Sequence, residues 1–208
     1  MATHPRHPRA PKKTLREHVE IQREYLENQL QPVLDEAVAG NGHVFVVDAA
    51  HFVSGTFLCC LWSIARVFVR AASGRQRFNV LGAWNAVTRP LVTVTNTTVV
   101  NTDTMSELRR TIAAQPLAGR VTVQGLAAAL GIGLLFLPSD SPNRNRIEQL
   151  WGFTKRRSVH GKYHANFAFF RAAIETTRQG VPTQHADELT SLMTLQFQTF
   201  NDVSLLAA

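Results

Sequence analysis

Cysteine is almost missing from this chain: 208 residues contain two, Cys59 and Cys60, adjacent within an apolar run. Neighbouring cysteines are poorly placed to staple a small secreted domain, and neither has the spacing of a zinc ligand, so the pair fits a reducing cytoplasm. Long hydrophobic runs are missing as well. None approaches the roughly 20 apolar residues of a membrane span, and the N-terminus lacks the apolar segment of a signal peptide. The third scarcity is of acid. No Asp or Glu occurs from residue 49 to residue 102, where Arg66, Arg70, Arg75, Arg77 and Arg89 do occur, and none lies between Glu107 and Asp140. The net charge of +7 therefore understates the asymmetry, because Glu17, Glu20, Glu24, Glu27, Asp35 and Glu36 crowd the first helix and leave a basic body. A basic body points to nucleic acid or another polyanion as partner.

What is present is enough for one sizeable core, since 45% of the residues are hydrophobic. Residues 1–13 (MATHPRHPRAPKK) read as a disordered basic tail in which His4 and His7 are solvated rather than metal-bound. Residues 14–40 predict a linker helix, with Thr14 as N-cap, Glu17 at the capping-box position, a kink at Pro32 and a stop at Gly40. The remainder, residues 41–208, reads as one α/β domain. Strands are expected at residues 44–47 (ending at Asp48), 57–65, 75–88 and 91–100, rich in Val and Thr and broken at Arg89 and Pro90. From residue 103 the period changes. A helix over 103–115, capped by Thr102 or Asp103, precedes a strand at 120–123, a short helix at 125–130 and a strand at 132–137. Helices over 164–179 and 185–200 carry apolar stripes (Phe167, Phe170, Ala173, Ile174; Leu189, Leu192, Met193, Phe197) that read as core rather than base-stacking platforms. Antiparallel strands followed by strand–helix–strand units imply a mixed sheet with helices on its faces.

Two acids stand apart. Asp48 terminates the first apolar strand, where a carboxylate can be held rigidly, although a turn residue or cap would look the same. Glu148 is the only acid from residue 141 to residue 171, among Arg144, Arg146, Lys155, Arg156, Arg157, Lys162 and Arg171. A carboxylate so surrounded is either a salt-bridge partner or a metal ligand beside a polyanion. In the expected sheet, Asp48 at the end of the first strand and Glu148 at the start of the helix after the last strand meet at one edge. His51, three residues past Asp48, is open to two readings: a DNA contact lining the site, or a packed or solvated histidine.

The strand ending in Asp48, the LFLP strand, and the turn and helix S-P-x-x-N-x-I-E-x-L-W (Ser141, Pro142, Asn145, Ile147, Glu148, Leu150, Trp151) together resemble the DDE transposases of bacterial insertion sequences in the mariner superfamily. The resemblance spans about residues 20–200. It implies an RNase H-like fold in which three carboxylates hold two divalent ions, Mg²⁺ or Mn²⁺, that cut and join DNA at transposon ends. Asp48 and Glu148 would be the first and third of the three, with Arg144, Arg146, Lys155, Arg156, Arg157 and Lys162 toward DNA. Such a protein works without a membrane, and a homo-oligomer is compatible with it. The chemistry suits the residues: in-line displacement at a phosphodiester needs hard oxygen ligands for the ions and cations for the phosphates.

The chain departs from that pattern at the second Asp. Members have it just after the fourth strand, within an L-D-N sequence, whereas here residues 121–123 run directly into Gln124 and Gly125. A count independent of the resemblance agrees: if Val123 and Ile132 lie on parallel neighbouring strands, residues 124–131 alone connect them, and a crossover takes about a dozen or more. The segment carrying the second Asp is expected to be absent, and the crossover truncated. Asp140 is a poor substitute, being on a loop where metal bridging demands tight placement. Arg144 occupies a position that members fill with a buried Leu, and Asp103 and Glu107 read as a cap and a solvated first-turn acid. Three functions follow: a transposase catalytic domain, defective in this copy; a DNA-binding or interaction module derived from one; or a basic α/β protein in which Asp48 and Glu148 are plain ion-pair partners.

Overall fold

The strand that organises the molecule is apolar on both of its faces, as a central strand covered from two sides must be. In the computed structural model, which describes residues 15–55, 64, 68, 75–116, 120–124, 133–135 and 147–192, this is β1 (Gly42–Val53). Its partners are β2 (Arg77–Asn85), β3 (Leu91–Asn96), β4 (Arg120–Gln124) and β5 (Gly133–Leu135), in the order β3-β2-β1-β4-β5. The β1–β2 and β2–β3 pairs are antiparallel, and the β1–β4 and β4–β5 pairs are parallel. This is a mixed sheet, antiparallel on one side of β1 and parallel on the other.

The two-residue period of β1 divides its side chains between two cores. Val44, Val46, Ala50 and Phe52 join Phe78, Val80 and Trp84 of β2 under α4 (Ile147–Ser158) and α5 (Phe167–Gln179), which contribute Ile147, Leu150, Trp151, Phe153, Phe170 and Ile174. Phe45 and Val47 join Leu81, Ala83, Val92 and Val94 on the opposite face, beneath α3 (Thr102–Ala113). The α3 stripe is Met105, Leu108 and Ile112, and Leu108 and Ile112 have no exposed surface, a burial that stabilises by about 1.5–3 kcal/mol for each side chain. The cap of α3 is Asn101, whose side chain accepts from the Thr104 N–H at 3.1 Å, so the helix starts one residue before the expected Asp103.

At the N-terminus, α1 (Leu15–Tyr25) passes through a π-helical turn (Leu26–Leu30) into α2 (Gln31–Val38). Pro32 lies in the first turn of α2, where its missing N–H costs nothing; the irregularity expected at Pro32 falls just ahead of it, in the π turn. Gly40, at φ +82°, ends α2 while the N–H groups of Gly40 and Asn41 reach back to the Ala37 and Glu36 carbonyls. Tyr25, Leu30, Leu34 and Ala37 belong to the same core as α4 and α5, so the second half of the expected linker helix is docked on the sheet. A short α6 (Ala186–Leu192) adds Leu189.

Asp48 is not at the end of its strand. Pairing continues to Val53 opposite Arg77, which places Asp48 inside β1. The connection between the parallel neighbours β4 and β5 comprises residues 125–132, eight residues. The expected tail 1–13, the cap Thr14, the strand at 57–65, the short helix at 125–130, the turn bearing Asp140, Arg144 and Arg146, and the chain beyond residue 192 lie outside the described residues. Among the described residues no helix is long and apolar enough to cross a membrane.

Candidate functional site

Even-numbered residues of β1 face α4 and α5, and Asp48 shares that face with Val46 and Ala50. Register puts Gly82 of β2 opposite Asp48, and Thr93 of β3 opposite Gly82. Gly82 is required by its neighbours: a Cβ there would stand 2.6 Å from Cη2 and Cζ2 of Trp151 and 3.3 Å from Cδ1 of Ile147. The absent side chain lets α4 settle onto the sheet directly beside Asp48. Glu148 follows Ile147 in the first turn of α4, where the helix dipole favours a negative charge, and its side chain is exposed.

The two carboxyls feel each other. Burial pushes the half-buried Asp48 carboxyl above the ordinary carboxylate range, against the opposing pull of the Ala49 backbone N–H, the Trp151 indole N–H, and the charges of His51 and Lys155. Glu148 is also pushed up, by partial burial first and then by the negative charge of Asp48. The Trp151 Nε1–H is buried and completes no hydrogen bond by distance and angle, yet it is close enough to Asp48 to favour its ionised form.

Of the cations expected toward DNA, Lys155 has its Nζ 5.9 Å from the centroid of the Phe52 ring and its charge acts on Asp48. Arg156 is exposed. Arg157 is engaged internally, with Nη2 2.8 Å from Glu188 and its guanidinium 5.7 Å from the Phe153 ring centroid. The Lys162 ammonium donates to the Arg157 carbonyl near the end of α4. Arg144, Arg146 and Asp140 are outside the described residues.

His51 is exposed and projects from the face of β1 opposite to Asp48. Its Nδ1 is 2.7 Å from the Asn79 side-chain oxygen, while the Asn79 amide nitrogen donates to Asn96 Oδ1 at 2.8 Å and to the Thr98 carbonyl at 3.0 Å. With its amide committed in that sense, Asn79 can only accept from His51, so the proton of a neutral ring sits on Nδ1. His51, Asn79 and Asn96 form one register row across three strands, and Asn79 is 1% exposed.

No family model matches the sequence, and no curated protein matches it. Solved structures of Mos1 transposase complexes are similar, three of which follow. The crystal structure of the Mos1 strand transfer complex has a TM-score of 0.54 at 10% identity, over 96% of this chain and 68% of that one. The Mos1 transposase paired-end complex with left transposon end gives 0.52 at 10% identity, over 95% of this chain and 68% of that one. The Mos1 mariner paired end complex with Mn gives 0.52 at 12% identity, over 90% of this chain and 68% of that one. This chain has a mariner-transposase-like fold. At these identities the fold is what is shared.

Within the mariner-like fold, the carboxylate pair offers hard oxygen donors of the kind Mg²⁺ and Mn²⁺ prefer, and two carboxylates are enough to hold one hydrated ion. Among the described residues there is no group of three or more His, Cys, Asp or Glu that could hold a metal. The two carboxylates fit such an ion in the kind of donor they offer. An apolar cavity of about 490 Å³ lies elsewhere, lined by Trp84, Pro90, Leu150, Val181 and Leu189 and excluding both carboxylates. Sequence reasoning passes over Gly82 and the asparagine row. A glycine inside a strand pattern is itself a signal of close approach by another element, and Gly82 carries it. The asparagine row has no such signal, because it depends on strand register.

Proposed function

We propose that this chain is the catalytic domain of an insertion-sequence transposase of the mariner superfamily, with an RNase H-like sheet, from which the segment bearing the second Asp is absent. The observation that carries the reading is the juxtaposition of Asp48 on the central strand with Glu148 at the start of α4, inside a fold similar to Mos1 transposase. The order β3-β2-β1-β4-β5, antiparallel then parallel, supports the RNase H-like assignment. The domain would comprise residues 41–208, with residues 14–40 leading into it.

Asp48 and Glu148 would hold Mg²⁺ or Mn²⁺, which when bound supplies charge neutralisation and an activated oxygen for attack on a phosphodiester. The chain's own contribution is positional. β1 fixes Asp48 opposite Gly82 of β2, α4 brings Glu148 alongside, Lys155 balances the negative charge, and Arg156 offers a phosphate contact. A pair of carboxylates without the third does not hold two ions rigidly enough to stabilise both attacking and leaving oxygens, so this copy is catalytically defective.

The second reading is a DNA-binding or interaction module derived from a transposase, favoured by the eight-residue connection between β4 and β5. Transposon-end DNA distinguishes the two. A defective catalytic domain binds it in a salt-dependent way and binds Mn²⁺ through Asp48 and Glu148. A module binds DNA equally well with Glu148→Gln and shows no carboxylate-dependent metal binding. Absence of DNA binding at low salt contradicts both.

A further inference from the structure

We propose that Trp151 is a positioning residue for Asp48, its indole N–H fixing the orientation of the carboxylate through the gap that Gly82 leaves in β2. The proposal rests on the reading of Asp48 and Glu148 as an ion-holding pair, and it stands on geometry. Trp151 is 4% exposed, and its Cη2 and Cζ2 occupy the space that any side chain at position 82 would need, 2.6 Å from an ideal Cβ. Gly82 is the cross-strand partner of Asp48, so the ring lies over the residue paired with the carboxylate. The ring's one polar atom, Nε1, is buried and completes no hydrogen bond, and Trp151 is among the groups that favour the ionised form of Asp48.

A buried N–H without a partner is costly, and an ionised carboxylate next to it is the acceptor that removes the cost. A carboxylate that accepts from a fixed donor on one oxygen presents the other in a defined direction. That is the way neighbouring groups orient the residues that hold a metal. Trp151 stands three residues after Glu148, so one helix would supply both the second carboxylate and the group that aims the first. Ring packing alone would be met by any large apolar side chain; the N–H is what Trp adds.

The test uses the full chain. The indole resonance of Trp151, assigned by its loss in Trp151→Phe, is followed by ¹⁵N–¹H NMR in wild type and in Asp48→Ala. It is expected to shift and lose protection from exchange in Asp48→Ala, while that of Trp84 does not. Mn²⁺ binding is then compared for wild type, Trp151→Phe and Phe153→Leu. Trp151→Phe is expected to weaken Mn²⁺ binding by about tenfold or more, whereas Phe153→Leu, which loosens the same helix away from Asp48, lowers the melting temperature and leaves Mn²⁺ affinity unchanged. An indole resonance indifferent to Asp48→Ala overturns the proposal, as does wild-type Mn²⁺ affinity in Trp151→Phe. Wild-type protein that binds no Mn²⁺ counts against the metal-holding reading itself. The indole resonance then decides the Trp151–Asp48 contact alone; if Trp151→Phe fails to fold, the resonance is assigned instead by nuclear Overhauser contacts between the Trp151 ring and Gly82.

Discussion

Asp48 is a charge inside the central strand of a sheet, and the protein keeps it at some expense to stability. Its carboxyl is pushed above the ordinary range by burial, and Glu148 is pushed the same way, so the folded state binds protons more readily than the unfolded chain. A raised folded-state value means that stability is highest below the ordinary carboxylate range, falls as pH rises from that range to the raised values, and is level above them. Replacing Asp48 with Asn removes the charge while keeping the shape. The variant is therefore expected to melt a few degrees higher than wild type at pH 7, with the difference vanishing near about pH 3 as unfolded carboxylates protonate, as thermal denaturation across pH would register. At Gly82 the effect runs the other way. Gly82→Ala sets a methyl group 2.6 Å from the Trp151 ring, and overpacking of this kind costs about 1–3 kcal/mol, measurable by chemical denaturation.

At the scale of elements, β1 and its neighbours are legible in the sequence up to the point where pairing takes over. The run VFVV announces a buried strand, but Ala49, Ala50 and His51 dilute the signal, and the strand continues to Val53 because β2 pairs with it that far. This moves Asp48 from an expected strand end to the strand interior without changing its neighbour in the site. The start of α3 differs by one residue because Asn101, as good a cap as Asp and better than Thr, has the extended backbone and accepts the Thr104 N–H. Asn101→Ala is expected to cost about 1 kcal/mol in unfolding free energy, since the Thr104 N–H then loses its acceptor. The juxtaposition of Asp48 with Glu148 is expected from the order of strands and helices, whereas the Trp151 contact over Gly82 is not, because a ring-sized gap arises only once register is fixed. β4 and β5 are parallel neighbours, as expected from the sequence, and the crossover between them lies outside the described residues.

For the whole molecule, the net charge of +7 and the proposed loss of the third carboxylate separate binding from chemistry. The cations are not equivalent. Lys155 and Arg156 stand near the pair or in solvent, while Arg157 is held by Glu188 and Phe153. In fluorescence-anisotropy titrations of duplex DNA against salt, replacing Lys155 and Arg156 together with Ala is expected to reduce the log–log slope by about two, at roughly 0.9 for each phosphate no longer neutralised. Arg157→Ala is expected to change it less. The central claim, that two of three metal-holding carboxylates remain and that chemistry has gone with the third, is tested most directly by incubating the protein with labelled transposon-end DNA and Mg²⁺ or Mn²⁺. The account predicts salt-dependent binding and no strand cleavage above that of Glu148→Gln; cleavage by the wild-type chain that Glu148→Gln abolishes would contradict it.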